Sequence, residues 1–304
     1  MTAAATVPAT ATTARRLEGA PFASEIRERV TADVAAYVRD HGHPPGLAVV
    51  VCGRSAPSMV YLERILKACA QVGIDGSFVD VEGDDPASQE AGLADAITRL
   101  NDDPEIAGII VQMPLPAGVR LKTVVDAIDP LKDIDGIHPL NAGLLRLGYE
   151  GFIPATAHAA LEMVHRSGVT LQGADAVVIG RSPVVGMPLA FILAKEDATV
   201  TLCHSKTRDL AAKVRRADVV VVAAGKPGLV TGAMLKPGAV VIDVGINVVD
   251  GRIVGDVDFE SAEKVASAIT PVPGGVGPLT NALLLSHLMR AAQRQDQAKE
   301  HFEA

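Results

Sequence analysis

The apolar runs LAVVVCG (47–53), IAGIIVQMP (106–114), ADAVVIG (174–180), ADVVVVAAG (217–225) and AVVIDVG (239–245) most constrain this chain. They are rich in Val and Ile and do not alternate with polar residues. Such runs read as strands buried on both faces, the habit of parallel sheets covered by helices. The stretches between them carry helical spacing. Over 24–41 the apolar residues Ile26, Val30, Val34, Tyr37 and Val38 share one face, and Ser24 is placed to cap the start. Further helices are predicted over 58–72, 88–100, 121–128, 156–167 and 279–293, with shorter strands at 77–81 and 198–203. The βαβ rhythm predicts an α/β protein with parallel sheets.

A Gly/Pro-rich and polar stretch, 129–154, divides this rhythm into two series. With 304 residues, two domains are expected: 17–150 and 151–278. Residues 1–16 are Thr/Ala-rich and acid-free, and read as a disordered tail. The net charge of −8 argues against a nucleic-acid partner, and aromatics at 3% with no Trp argue against base-stacking surfaces. No apolar run is long enough to span a membrane. The odd and widely spaced Cys52, Cys69 and Cys203 read as buried reduced thiols, which suits a cytoplasmic protein; neither they nor the histidines suggest a metal site.

The strand at 174–180 leads into GRSPVVGMP (180–188) and then a helix. A glycine turn between strand and helix points backbone N–H groups and the helix N-terminus at a pyrophosphate, so a Rossmann dinucleotide domain is expected. The match to the usual fingerprint is loose, with Ser182 at the second glycine and Gly186 one place late. The next strand ends in Cys203-His204-Ser205-Lys206-Thr207, with no carboxylate for a ribose diol. Arg181, Ser205 and Lys206 would hold a 2′-phosphate that a carboxylate would repel, so NADP is expected rather than NAD.

GRSPVVGMP, DVGIN (243–247), GDVDF (255–259) and TPVPGGVGPLT (270–280), with VQMPLP (111–116) and KDIDGIHPLN (132–141), carry a resemblance. Over about residues 16–290 the chain resembles the bifunctional methylenetetrahydrofolate dehydrogenase/methenyltetrahydrofolate cyclohydrolase family. The resemblance implies a substrate cleft between an N-terminal α/β catalytic domain and a C-terminal Rossmann domain. It also implies a final helix, 279–295, that returns to the first domain, and a homodimer formed through the cofactor domain. A tetrahydrofolate-type substrate would meet Tyr61, which stacks near the one-carbon unit, and Asp135, which accepts paired hydrogen bonds from the pterin. Gln112 matches the residue that tunes the catalytic lysine, and Gly275 and Thr280 flank the substrate. Gly180, Arg181, Ser182, Gly186, Ser205, Gly225 and Ile246 match the cofactor contacts.

The chain departs from that pattern at one decisive place. The family segment Y-V-x-x-K-x-K-A-C reads Tyr61-Leu62-Glu63-Arg64-Ile65-Leu66-Lys67-Ala68-Cys69, so Ile65 stands where the catalytic lysine is expected. Four residues from Tyr61, it shares that helical face and should look into the cleft. Isoleucine neither donates nor accepts a proton, so dehydrogenation is expected to survive and hydrolysis to be weak or lost. Family P-C-T-P-x-G is here Pro154-Ala155-Thr156-Ala157-His158-Ala159, with Thr156 still placed to cap a helix. The alternatives are oxidation or reduction of another C–N (iminium) substrate, marked by NADP binding without folate binding, and a catalytically silent paralogue, marked by folate binding without turnover.

Overall fold

A computed structural model describes residues 13–54 and 56–303. The first half is built from α1 (Gly19–His41), β2 (Gly46–Cys52), α2 (Ala56–Val72), β3 (Asp75–Val81), α3 (Pro86–Asp102), β4 (Ile106–Val111), α4 (Leu121–Ala127) and α5 (Pro139–Leu147), after a short strand β1 (Arg15–Arg16). The second contains α6 (Ala155–Ser167), β5 (Asp175–Ile179), α7 (Gly186–Lys195), β6 (Thr199–Cys203), α8 (Leu210–Val214), β7 (Val219–Val222), β8 (Val240–Asp243), β9 (Asn247–Val249), β10 (Arg252–Val254), α9 (Phe259–Ala262), β11 (Ala268–Ile269) and α10 (Val276–Glu303).

Every residue of β2, β5 (after Asp175), β7 and β8 is buried, as continuous apolar runs require. The first half forms a parallel sheet in the order β3-β2-β4. The second forms a parallel sheet in the order β1-β11-β8-β7-β5-β6; β6 and β7 pair on opposite sides of β5, so the order of connection reverses there, at the switch point where α/β sheets bind ligands. An antiparallel hairpin, β9–β10, stands apart from both sheets. α10 packs along α1 and α6 and reaches β4, where Gln295 Nε2 donates to the Ala107 carbonyl. The α/β class with parallel sheets and a Rossmann-like second half is therefore as the sequence predicts.

Several local expectations are corrected. Residues 1–12 of the expected tail lie outside the described residues, but Arg15 and Arg16 form β1, in register with Ala268 and Ile269. α1 begins at Gly19 rather than near Ser24, with Glu18 at its cap position and no side-chain cap. The buried Leu17 anchors this start, and Gly19 N–H donates to the Gly274 carbonyl (2.8 Å), so a tertiary tie replaces the local signal. Within the stretch read as a polar divider lies α5. Its signals were present: His138 Nδ1 accepts from Leu140 N–H, Pro139 follows at the first turn, and Gly148 closes the helix in the left-handed region. Pro154, not Thr156, occupies the cap position of α6. α10 starts three residues earlier than expected, so Thr280 lies inside it and its hydroxyl donates to the Val276 carbonyl.

Among the described residues no helix is long and apolar enough to cross a membrane, and no group of three or more His, Cys, Asp or Glu side chains is placed to hold a metal. All three cysteines are buried and free.

Candidate active site

One cavity of about 470 Å³ opens where α2 meets the C-terminal end of β4, and it gathers residues distant in sequence. Ser58 and Tyr61 come from α2, Ile110 to Pro114 from β4 and the turn after it, and Asp135 from the loop before α5. The three residues expected to be catalytic, Tyr61, Gln112 and Asp135, therefore share one wall system.

Asp135 is raised to about 7 by burial first, then by the negative charge of Asp133; an N–H from Ala155 at the start of α6 pulls the other way. Asp133 is fully buried and accepts from Ile137 N–H (3.1 Å), His138 N–H (2.8 Å) and Asn141 Nδ2 (2.8 Å). That carboxylate is consumed by the loop it shapes. Asp135 has no such set of donors and is the one left facing the cavity. Burial, with the Asp135 charge second, pushes the Tyr61 phenol upward, so it keeps its proton at neutral pH and presents a ring and a hydroxyl, not a base.

Gln112 is 9% exposed. Its Nε2 donates to the Met113 carbonyl (3.0 Å), which settles which end of the amide is which. Its Oε1 accepts no hydrogen bond, the one such buried side-chain atom among the described residues. Ile65, expected to look into the cleft, does not reach the cavity surface. It is 2% exposed and packs in the main apolar core. A branched hydrocarbon gains by turning from water, so the wall that carries Tyr61 is backed by hydrocarbon.

The cofactor turn lies in the second sheet. Gly180 has φ +129°, and a Cβ there would sit 2.1 Å from the Ala223 carbonyl oxygen; a Cβ on Gly186 would sit 2.0 Å from the Gly180 oxygen. The two glycines let α7 begin directly against the end of β5, which makes a backbone cradle of the kind a pyrophosphate needs. Ser182 Oγ accepts from Val185 N–H (3.0 Å) and shapes the turn. Gly180 N–H donates to the Cys203 carbonyl (2.9 Å), so Arg181 and Ser205 emerge at one end of the sheet, both exposed.

Sequence reasoning gave no role to Asp243 and Asp256, although both stand in motifs it singled out. Asp256 is fully buried and accepts from Ala224 N–H (2.6 Å), Gly225 N–H (2.9 Å), Lys226 N–H (2.8 Å) and Asn247 Nδ2 (2.8 Å). Asp243 accepts from Gly245, Asp256 and Val257 N–H groups, and burial still raises its carboxyl to about 6. The two carboxylates thus hold the loops that present Gly225 and Ile246, the latter 69% exposed. Their signal was an acid buried among glycines and β-branched residues, where only backbone donors can neutralise it. Asp256→Ala strands these donors, and we expect a stability loss on the order of 3 kcal/mol, read as a lower melting temperature. An unchanged melting temperature would deny Asp256 this role. Gly275 lies in the turn before α10: its N–H donates to Pro271 O (2.8 Å), and a Cβ there would sit 2.6 Å from that oxygen.

Two family models match the chain in succession. Residues 17–135 match the family model described as tetrahydrofolate dehydrogenase/cyclohydrolase, catalytic domain, and residues 154–296 match that of the NAD(P)-binding domain of the same family. The chain is 49% identical over 290 residues to the bifunctional protein FolD of Roseiflexus sp. (strain RS-1), covering 95% of this chain and 100% of that protein. It is 51% identical to the FolD of Bordetella avium, covering 93% and 98%. Among solved structures, the bifunctional FolD of Campylobacter jejuni superposes with a TM-score of 0.87 at 39% identity, covering 91% and 98%. The Trypanosoma brucei dehydrogenase-cyclohydrolase, solved with NADP and an inhibitor, gives 0.87 at 38% identity, covering 93% and 99%. With both halves matched in order and nearly the whole chain covered, the protein belongs to the tetrahydrofolate dehydrogenase/cyclohydrolase family.

Proposed function

We propose that this protein oxidises methylenetetrahydrofolate to methenyltetrahydrofolate with NADP and hydrolyses that product weakly or not at all. The observation that carries the reading is the pairing of a buried Ile65 with a partnerless Gln112 Oε1. Position 65 offers no proton donor, and Gln112 Oε1, on a residue of the cavity wall, receives none from the protein. Hydrolysis needs a group that moves protons to and from water, whereas hydride transfer needs alignment.

In this reading Asp135 binds the pterin amino group and neighbouring ring N–H through paired hydrogen bonds, and the Tyr61 ring lies against the substrate near its one-carbon unit. Gly275 and Thr280, outside the lining of that cavity, would meet the substrate where it extends beyond it. Gly180, Ser182 and Gly186 cradle the pyrophosphate; Gly225 and Ile246 flank the nicotinamide. The bound nucleotide supplies the hydride acceptor. The protein's own part is to hold the substrate carbon against it and to keep water from the apolar wall behind Tyr61. Two copies pair through the second half, where β9–β10 exposes Val248 and Ile253.

The test is the purified protein with methylenetetrahydrofolate and NADP. Methenyltetrahydrofolate should build up in step with NADPH, followed by near-ultraviolet absorbance; formyl product appearing as fast as NADPH would overturn the reading. Cofactor choice has its own check. Arg181 and Ser205 hold the 2′-phosphate, so Arg181→Ala should raise the KM for NADP by about tenfold to a hundredfold and leave that for NAD unchanged. Equal effects on both cofactors would remove Arg181 from that role.

A further inference from the structure

His158 on α6 and His287 on α10 meet outside the cavity just described. His158 Nδ1 and His287 Nε2 are 2.9 Å apart, and His287 Nδ1 lies 3.0 Å from the Ile134 carbonyl oxygen. The ring planes differ by 10° and the centroids are 5.2 Å apart. With so short an N···N distance, that separation sets the rings edge to edge in nearly one plane, the alignment a straight N–H···N bond needs.

These contacts determine both tautomers. A carbonyl only accepts, so His287 Nδ1 carries the proton. In a neutral ring its Nε2 is then bare and must accept, so His158 Nδ1 donates. Burial disfavours the charged form of both rings, and Arg290 on α10 acts in the same direction; Glu162, on α6, opposes it at His158, while His165 on α6 does not. The pair is thus a one-way chain of donors that ends on the Ile134 carbonyl.

Ile134 is the residue before Asp135. The Asp135 carboxylate faces the Ala155 N–H at the start of α6, the helix that also carries His158. The links close a ring: Asp135 to α6, α6 to α10 through the two histidines, and α10 back to the peptide beside Asp135. We infer that His287, held in one tautomer by His158, is a positioning residue for Asp135, setting where that carboxylate stands in the substrate cavity. The inference rests on the reading of Asp135 as the pterin anchor.

Two measurements test it on the full-length protein. Long-range proton–nitrogen NMR of histidine-labelled protein, assigned with His158→Phe and His287→Leu, should show both rings as Nδ1–H tautomers at neutral pH; an Nε2–H tautomer at His287 overturns the inference without any variant having to be active. In kinetics, His287→Leu should raise the KM for methylenetetrahydrofolate about tenfold, with kcat and the KM for NADP nearly unchanged. His287→Asn should restore it, because its Nδ2, also attached to Cγ, can donate to the same carbonyl. A rise in both KM values, or no rescue by Asn, marks a merely structural role and overturns the inference. Asp135→Asn separates the two layers: if it leaves folate KM unchanged, the anchor reading fails; if it raises that KM and His287→Leu does not, only the positioning inference fails.

Discussion

Ile65→Lys is expected to gain methenyltetrahydrofolate hydrolysis by about 10²- to 10⁴-fold, the span a positioned general acid or base commands. Position 65 lies one helical turn beyond Tyr61 on α2. A lysine there is longer than isoleucine and cannot leave its amine in the core that now surrounds the side chain, where Ile65 is 2% exposed. Its head must find water or an acceptor. Gln112 Oε1, buried and without a donor, is such an acceptor at the cavity wall. Burial would lower the lysine's pKa toward neutrality, as a group that both takes and returns protons requires. The native state would then bind fewer protons than the unfolded chain, so the destabilisation should shrink as pH rises toward the unfolded lysine value near 10.4. Ile65→Met is the control, since it lengthens the side chain without adding a proton and should gain no hydrolysis. A lysine variant that binds both ligands, still reduces NADP, and hydrolyses no faster than the parent would refute the account of position 65.

How far such an account could be read without coordinates differs by element. The sheets were legible because β2, β7 and β8 are buried on both faces, and burial writes itself as uninterrupted Val and Ile. The Gly180–Gly186 turn was legible for a similar reason, as a steric demand that only glycine meets. Helix starts were less so. α1 begins where Gly19 bonds Gly274, more than two hundred residues away, and no local pattern carries that tie. α5 escaped because its caps, His138 and Gly148, flank a stretch whose Gly and Pro content resembles a linker. In the site, Tyr61 and Asp135 were found through motif resemblance. The direction of Ile65 was not, because a shared helical face with Tyr61 leaves open how far each side chain reaches. Asp243 and Asp256 went unassigned since their partners are backbone N–H groups, which have no letter in the sequence.

Asp135→Asn should weaken folate binding about a hundredfold and at the same time raise the melting temperature at pH 8. The two effects have one cause. Burial and the neighbouring Asp133 hold the Asp135 carboxyl up at about 7, far above the ~3.9 of an exposed aspartate. Between those values the native state keeps a proton that the unfolded chain has released. The stability this group contributes is therefore full below about pH 4 and is lost as pH rises through 7. Above pH 7 the site carries an ill-solvated charge until a ligand arrives. Asparagine removes that charge, so its advantage in melting temperature should be a few degrees at pH 8 and vanish near pH 4. The same change removes one of two acceptors and turns it into a donor facing the pterin's own N–H groups, a mismatch of desolvated polar groups that costs binding heavily. In the parent protein, folate affinity should fall as pH drops below 7, because protonation makes the same mismatch reversibly; the asparagine variant should show no such dependence. A variant that loses stability together with affinity would mean that the carboxylate serves the fold, and that the pterin is held by something else.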